Sequence, residues 1–167
     1  MEERVLSTAG AAFTIRAAAA SDVPELLRLV HALAEYEKLA AMAVGTTAML
    51  EEALFGPRPA AEALVAERAG RVVGFAIFFT TFSTFLCQPG LYLEDLFVEP
   101  EHRGVGIGKA LLARLAALAI ERRCGRLEWR VLDWNAPSIR FYQSLGATVL
   151  PEWHLVRMTE REFALLA

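Results

Sequence analysis

The residues with the clearest chemical meaning lie in Val98-Glu99-Pro100-Glu101-His102-Arg103-Gly104-Val105-Gly106-Ile107-Gly108-Lys109. Three glycines at alternate positions follow an arginine, and a long helical pattern starts straight after. Glycines so placed let backbone N–H groups approach an anion closely, and the following helix N-terminus adds the positive end of its dipole. That combination suits a pyrophosphate. A P-loop is excluded, because the places of its first glycine and its Ser/Thr hold Arg103 and Ala110. The fingerprint Gly-x-Gly-x-x-Gly fails too, since its third glycine falls on Lys109. A glycine-rich turn that binds nothing fits the same residues, so the loop alone leaves both readings open.

Two further groups could carry chemistry. Glu94 and Asp95 stand in an otherwise apolar run, Tyr92-Leu93-Glu94-Asp95-Leu96-Phe97. Carboxylates there incur a desolvation cost unless they are paired, wet or useful, so a proton-transfer role and a structural ion pair both fit. Tyr142 lies seven residues beyond Asn135, on a short helical pattern opened by Pro137. By residue type alone Phe141 and Tyr142 read as core aromatics, and Asn135 as a turn or N-cap residue.

These groups need elements to hold them. After Phe13–Arg16, a short strand, Asp22 and Glu25 form a capping-box pattern, and Leu26, Leu29, Val30 and Leu33 recur at helical spacing. A second helix follows Thr46 or Thr47 and stops at Gly56-Pro57. Ala63–Glu67 and Val72–Phe82 read as strands joined at Ala69-Gly70, and a loop containing Pro89-Gly90 leads to a third, Leu91–Val98. A helix over Gly106–Arg123 places Leu111, Leu115, Leu118 and Ala119 on one side. Then come a strand Leu127–Leu132, a helix from Pro137 to Leu145 ended by Gly146, a strand Trp153–Met158 and a closing helical turn over Thr159–Leu166. The pattern is mixed α/β.

At 167 residues the chain suits one domain, with residues 1–12 a loose tail and 13–167 the folded part. A net charge of −3 argues against a nucleic-acid partner and is compatible with a cationic one. The start carries acids and leads into no long apolar run, and no stretch is long enough to span a bilayer, so the reading is cytoplasmic with no membrane partner. Cys87 and Cys124 have neither metal nor redox spacing, and His31, His102 and His154 are scattered, so no metal is expected.

Arg103-Gly104-Val105-Gly106-Ile107-Gly108 resembles the Arg/Gln-x-x-Gly-x-Gly/Ala signature of the GCN5-related N-acetyltransferase (GNAT) superfamily. Ile15-Arg16-Ala17-Ala18, Leu33-Ala34-Glu35-Tyr36-Glu37, Val73-Gly74-Phe75-Ala76, Leu91-Tyr92-Leu93-Glu94-Asp95 and Trp134-Asn135-x-Pro137-Ser138-Ile139-x-Phe141-Tyr142 look like its spermidine/spermine N-acetyltransferase branch, which also acetylates thialysine and related amino acids. The resemblance implies the GNAT fold: a mostly antiparallel central sheet flanked by helices, with splayed central strands holding acetyl-CoA. It implies Glu94 as general base and Tyr142 as proton donor to the departing thiolate. It gives the cofactor to the backbone of Leu96, Phe97 and Val98, to Arg103, Gly104, Val105, Gly106, Ile107, Gly108 and Lys109, and to Asn135, Ser138 and Tyr142. It also implies a homodimer.

The substrate implied is the primary amine of a small molecule. Glu37, Glu94 and Asp95 would form an acidic groove for a second ammonium. Polyamine enzymes of the branch carry an acid and a tryptophan where this chain has Ser83 and Phe85, which makes those two positions candidate substrate contacts. Arg130 is a candidate for the carboxylate of an amino-acid substrate. The alternatives are a protein or peptide N-acetyltransferase and a non-catalytic acetyl-CoA-binding module.

Overall fold

The computed structural model describes residues 4–6 and 13–167, which fall into two compact units, 1–130 and 131–167. In the first unit six strands form one sheet in chain order: β1 (Arg4–Leu6), β2 (Phe13–Ala17), β3 (Glu62–Arg68), β4 (Arg71–Ser83), β5 (Gln88–Val98) and β6 (Leu127–Trp129). Every pairing is antiparallel except that of β5 with β6. Within the stretch read as a loose tail, Arg4–Leu6 thus pairs as a strand; the rest of that stretch lies outside the described residues.

Helices cover both faces. On one, α1 (Val23–Tyr36) and α2 (Thr47–Phe55) bury Leu26, Leu29, Leu33 and Leu54 against Val65, Phe75, Ile77 and Phe97. The alternate residues Leu64, Ala66 and Phe78 turn to the other face, where α3 (Ile107–Glu121) buries Ile107, Leu111, Leu115 and Leu118. Each such side chain contributes about 1.5–3 kcal/mol when fully buried. No helix of the described residues is long and apolar enough to cross a membrane.

Local chemistry explains most boundaries. Thr46 Oγ1 accepts the Met49 N–H and starts α2. Ala69 (φ 52°) and Gly70 (φ 75°) make the two-residue turn between β3 and β4. Two sequence readings need correction. Asp22 does not build a capping box with Glu25; its carboxylate accepts the Ala19 N–H at 2.8 Å and both Arg16 amino groups, while Glu25 pairs with Arg28. A strong cation within reach outcompetes a weak cap. Pro89 and Gly90 are not loop residues either, since they pair with Phe82 and Thr81 inside β5; the turn lies at Thr84–Cys87.

The second unit holds α4 (Ala136–Ser144) and α5 (Glu160–Leu166). Helix α4 ends at Gly146 (φ 90°), whose N–H bonds Gln143 O while the Ala147 N–H bonds Tyr142 O. Trp153–Met158 forms no strand, and its residues are exposed. The described residues of this unit contain no strand for it to pair with, and an unpaired strand leaves its backbone groups unsatisfied.

One buried charge ties the first unit together. Glu99, just past β5, is 5% exposed, and its Oε1 accepts from Arg28 of α1 and Arg71 of β4, both at 2.7 Å. Glu99→Ala leaves Arg71 without this carboxylate and Arg28 with Glu25, and should lower unfolding free energy by about 1–2 kcal/mol in urea titrations. Glu121→Ala, which breaks the exposed pair with Arg114, should cost no more than about 0.5 kcal/mol. Equal losses would remove Glu99 as the tie.

Candidate functional site

The site is built on an irregularity in β5. Ile77 of β4 pairs with Asp95, but the next residue, Phe78, pairs with Leu93. Glu94 is therefore an extra residue, a β-bulge, and bulges bend a strand and re-aim side chains. The parallel ladder with β6 stops at the same point, at Leu93↔Trp129. The strand read over Leu127–Leu132 is accordingly shorter, and among the described residues no strand pairs with Glu94–Val98 of β5 on that side.

The open edge has defined polarity. The Glu99 N–H donates to Val73 O on β4, and backbone groups alternate in direction along a strand. The N–H and C=O of Leu96 and Val98 thus face the open side, whereas those of Phe97 face β4. An extended amide ligand could add there as a strand.

At the end of this edge lies the glycine loop. Gly104 (φ 78°) and Gly106 (φ 95°) adopt left-handed backbone that L side chains rarely take, and a Cβ on either would meet nothing within 4 Å. The glycines are required by dihedral, not by crowding. Gly106 is the N-cap of α3 and makes no side-chain cap, so the first-turn N–H groups at Ile107, Gly108 and Lys109 keep the anion-binding character of a helix N-terminus. Arg103 donates Nε–H to Val98 O at 2.8 Å.

The bulge also gathers charge. Glu94 is exposed, and Arg130 Nη2 lies 3.4 Å from each of its carboxylate oxygens. The Arg130 guanidinium also sits over the Tyr92 ring. Burial, then Glu94, then Glu37 push the Asp95 carboxyl up to about 6, with Arg130 pulling the other way. Burial raises Glu37 as well. Glu37, Glu94, Asp95 and Arg130 are thus one electrostatic cluster beside the open edge.

Other expected residues lie elsewhere. Ser83 is buried in the β4–β5 turn, where its Oγ accepts the Leu86 N–H, and Phe85 is 95% exposed at the tip. Gln88, the partner of Ser83, is six residues from Glu94, about 20 Å at the rise of a strand. The structure does not bring these two to the acidic cluster. In the second unit Asn135 is buried, and its Oδ1 accepts the Ser138 N–H at 3.3 Å as the N-cap of α4. Tyr142 lies half-buried on the same helix, its ring 5.4 Å from that of Phe141. Tyr92 and Tyr36, to which the sequence assigns no role, lie beside the charged cluster; their signal is the nearness of Tyr92 to Glu94 and of Tyr36 to Glu37 in the chain.

Among the described residues one group, Glu99, Glu101 and His102, has potential metal-ligand atoms within 4.8 Å of one another. Arg28 and Arg71 already occupy Glu99, and Arg68 Nη1 lies 3.1 Å from His102 Nδ1. Three guanidinium groups make this a poor place for a cation.

Asp95 gives a pH test. A carboxyl raised from 3.8 to about 6 destabilises the fold once ionised, so its penalty is absent below the unfolded value and complete above about 6. Relative to the parent, Asp95→Asn should gain on the order of 2–3 kcal/mol between pH 3.5 and 7.5 in chemical unfolding, within the accuracy of such shifts. A pH-independent difference would mean that Asp95 titrates as in water.

Comparison with known proteins bears on what this geometry serves. Residues 28–147 match the acetyltransferase (GNAT) family model. The chain is 37% identical to a thialysine N-epsilon-acetyltransferase of Bos taurus, over 86% of this chain and 90% of that protein. It is 31% identical to an L-ornithine N5-acetyltransferase of Arabidopsis thaliana, over 87% of this chain and 83% of that protein. Among solved structures it resembles an integron cassette protein from the mobile metagenome of V. cholerae, with a TM-score of 0.78, 27% identity, and coverage of 94% and 98%. The bulged strand, its open edge and the glycine loop thus belong to an N-acetyltransferase enzyme, and the chain is a member of the GNAT family.

Proposed function

We propose that the chain transfers the acetyl group of acetyl-CoA to the primary amine of a small molecule that carries a second charged group. Both a lysine-like amino acid and a polyamine or diamine satisfy that description. The observation that carries the reading is the clustering of Glu37, Glu94 and Asp95 beside a strand edge that leads to the glycine loop. The names of the two curated relatives, which act on thialysine and on ornithine, support the amino-acid form.

Acetyl-CoA supplies the activated acyl group in a ternary complex. In this reading the backbone of Leu96 and Val98 pairs with its amide arm. The N–H groups from Gly104 to Lys109 hold its pyrophosphate, with Asn135 and Ser138 as further contacts. An alkyl ammonium has a pKa near 10.4 and must lose a proton before it attacks. Glu94 takes that proton, exposed enough to pass it on through water. Tyr142 supplies the proton that returns to the leaving sulfur. Glu37 and Asp95 hold the second ammonium, and Arg130 is free to turn from Glu94 to a substrate carboxylate. The chain is proposed to act as a cytoplasmic homodimer, with residues 13–167 forming one catalytic domain.

Thiol release from acetyl-CoA tests this with thialysine, ornithine, lysine, putrescine and spermidine as acceptors. Turnover with at least one is expected, and silence across the panel with intact acetyl-CoA binding would overturn the small-amine reading. Tyr142→Phe should lower kcat about a hundredfold while the Kd for acetyl-CoA stays within about twofold. Glu94→Gln should lose activity most steeply at low pH, where free amine is scarcest; a pH–rate profile parallel to the parent's would remove Glu94 as the base. Arg130→Met should raise KM about tenfold for the amino acids and leave putrescine nearly unaffected. An equal effect on both would assign Arg130 to holding Glu94.

A further inference from the structure

The side chain of Arg103 reaches β5 and the end of α1. Its Nε–H donates to Val98 O, the last outward-facing carbonyl of β5. Its guanidinium carbon lies over the Tyr36 ring, 5.0 Å from its centre, and over that of Phe97 at 5.4 Å, so the cation makes two cation–π contacts. Tyr36 is the last residue of α1, and Glu37 follows it. The helix closes there in a tight turn: the Leu39 N–H bonds Ala34 O, the Lys38 N–H bonds Glu35 O, and Lys38 takes φ 61°. A turn that forces a lysine into left-handed backbone leaves little freedom in the direction of Glu37.

We propose that Arg103 is a positioning residue that couples the glycine loop to the acceptor carboxylates. Through Tyr36 it braces the end of α1 and so fixes Glu37. Through Val98 O and Phe97 it braces the segment of β5 that carries Asp95. The inference rests on the reading of Glu37 and Asp95 as the acceptor's acids. Its distinguishing consequence is that loss of Arg103 is felt at the amine rather than at the phosphates.

The test uses the full chain, with Arg103→Met, Arg103→Lys, Tyr36→Leu and Glu37→Gln, and two acetyl donors. Acetyl-CoA carries the pyrophosphate; S-acetylpantetheine lacks it. Arg103→Met and Tyr36→Leu should each raise the amine KM about fivefold with either donor. The acetyl-CoA Kd by calorimetry should stay within about twofold, and the double variant should be little worse than either single one, because both break one brace. Arg103→Lys keeps the charge but loses the planar stack and the Nε–H, and should behave like Arg103→Met. If Arg103→Met does not fold, Tyr36→Leu removes the same stack without touching the loop and carries the same expectations. A rise confined to the acetyl-CoA KM that vanishes with S-acetylpantetheine would overturn the proposal and make Arg103 a phosphate ligand. An unchanged amine KM in Glu37→Gln would sink the acceptor reading and this coupling with it. A raised amine KM in Glu37→Gln, with no change in Arg103→Met or Tyr36→Leu, would sink the coupling alone.

Discussion

One extra residue in β5 governs the rest of the site. Glu94 has no partner of its own across the β4–β5 ladder, because Ile77 and Phe78 pair with Asp95 and Leu93. A period-2 strand that gains one residue must switch faces or bend. Here Leu93 stays buried before the bulge and Phe97 after it, so both halves keep their core contacts while the strand turns at Glu94. The parallel pairing with β6 ends at Leu93, which leaves Leu96 and Val98 without a strand partner on that side, the Val98 carbonyl accepting from Arg103 instead. A regular β5 would have continued the ladder and left no edge for a ligand.

Rigidity is supplied around this gap rather than in it. Glu99 joins α1, β4 and the end of β5 through Arg28 and Arg71. Arg103 then links the same strand end to the end of α1. Both lie within five residues of the open edge in sequence, and both draw on charge where apolar packing stops. Buried ion pairs are a weak source of net stability but are costly to break on one side only, which suits them to fixing geometry. The glycine loop itself can then be thin, since its flanks are held.

The elements that follow a strict period were legible from the residues. Leu26, Leu29 and Leu33 place α1, Ala69-Gly70 places the first hairpin, and Gly146 ends α4, each for a local reason. The glycine loop was legible as a loop, and its resemblance to a family signature gave the chemistry. What the sequence hid was set by non-local competition. Asp22 looks like a cap until Arg16, six residues back, takes its carboxylate. Pro89-Gly90 looks like a turn until β4 extends far enough to pair with it. The bulge has no sequence mark at all, because only the register of β4 against β5 shows which residue is extra. Only the family resemblance makes Ser83 and Phe85 substrate candidates, and the length of the hairpin carries them away from Glu94.

The charge balance at the bulge limits what can dock there. Glu37, Glu94 and Asp95 carry three negative charges when ionised, and Arg130 offsets one, leaving two. Burial and mutual repulsion hold Asp95 up to about 6, so this surplus costs the fold free energy at neutral pH. An apolar or anionic acceptor would leave that cost in place or add to it. A dication removes it outright. In the proposed reading a diamino acid brings one net positive charge, and its carboxylate would give Arg130 a partner in exchange for Glu94, which would thereby be released to accept a proton. The dication relieves the repulsion fully and the diamino acid by half, but only the second uses every charged group of the cluster, which is what favours it in the proposed reading.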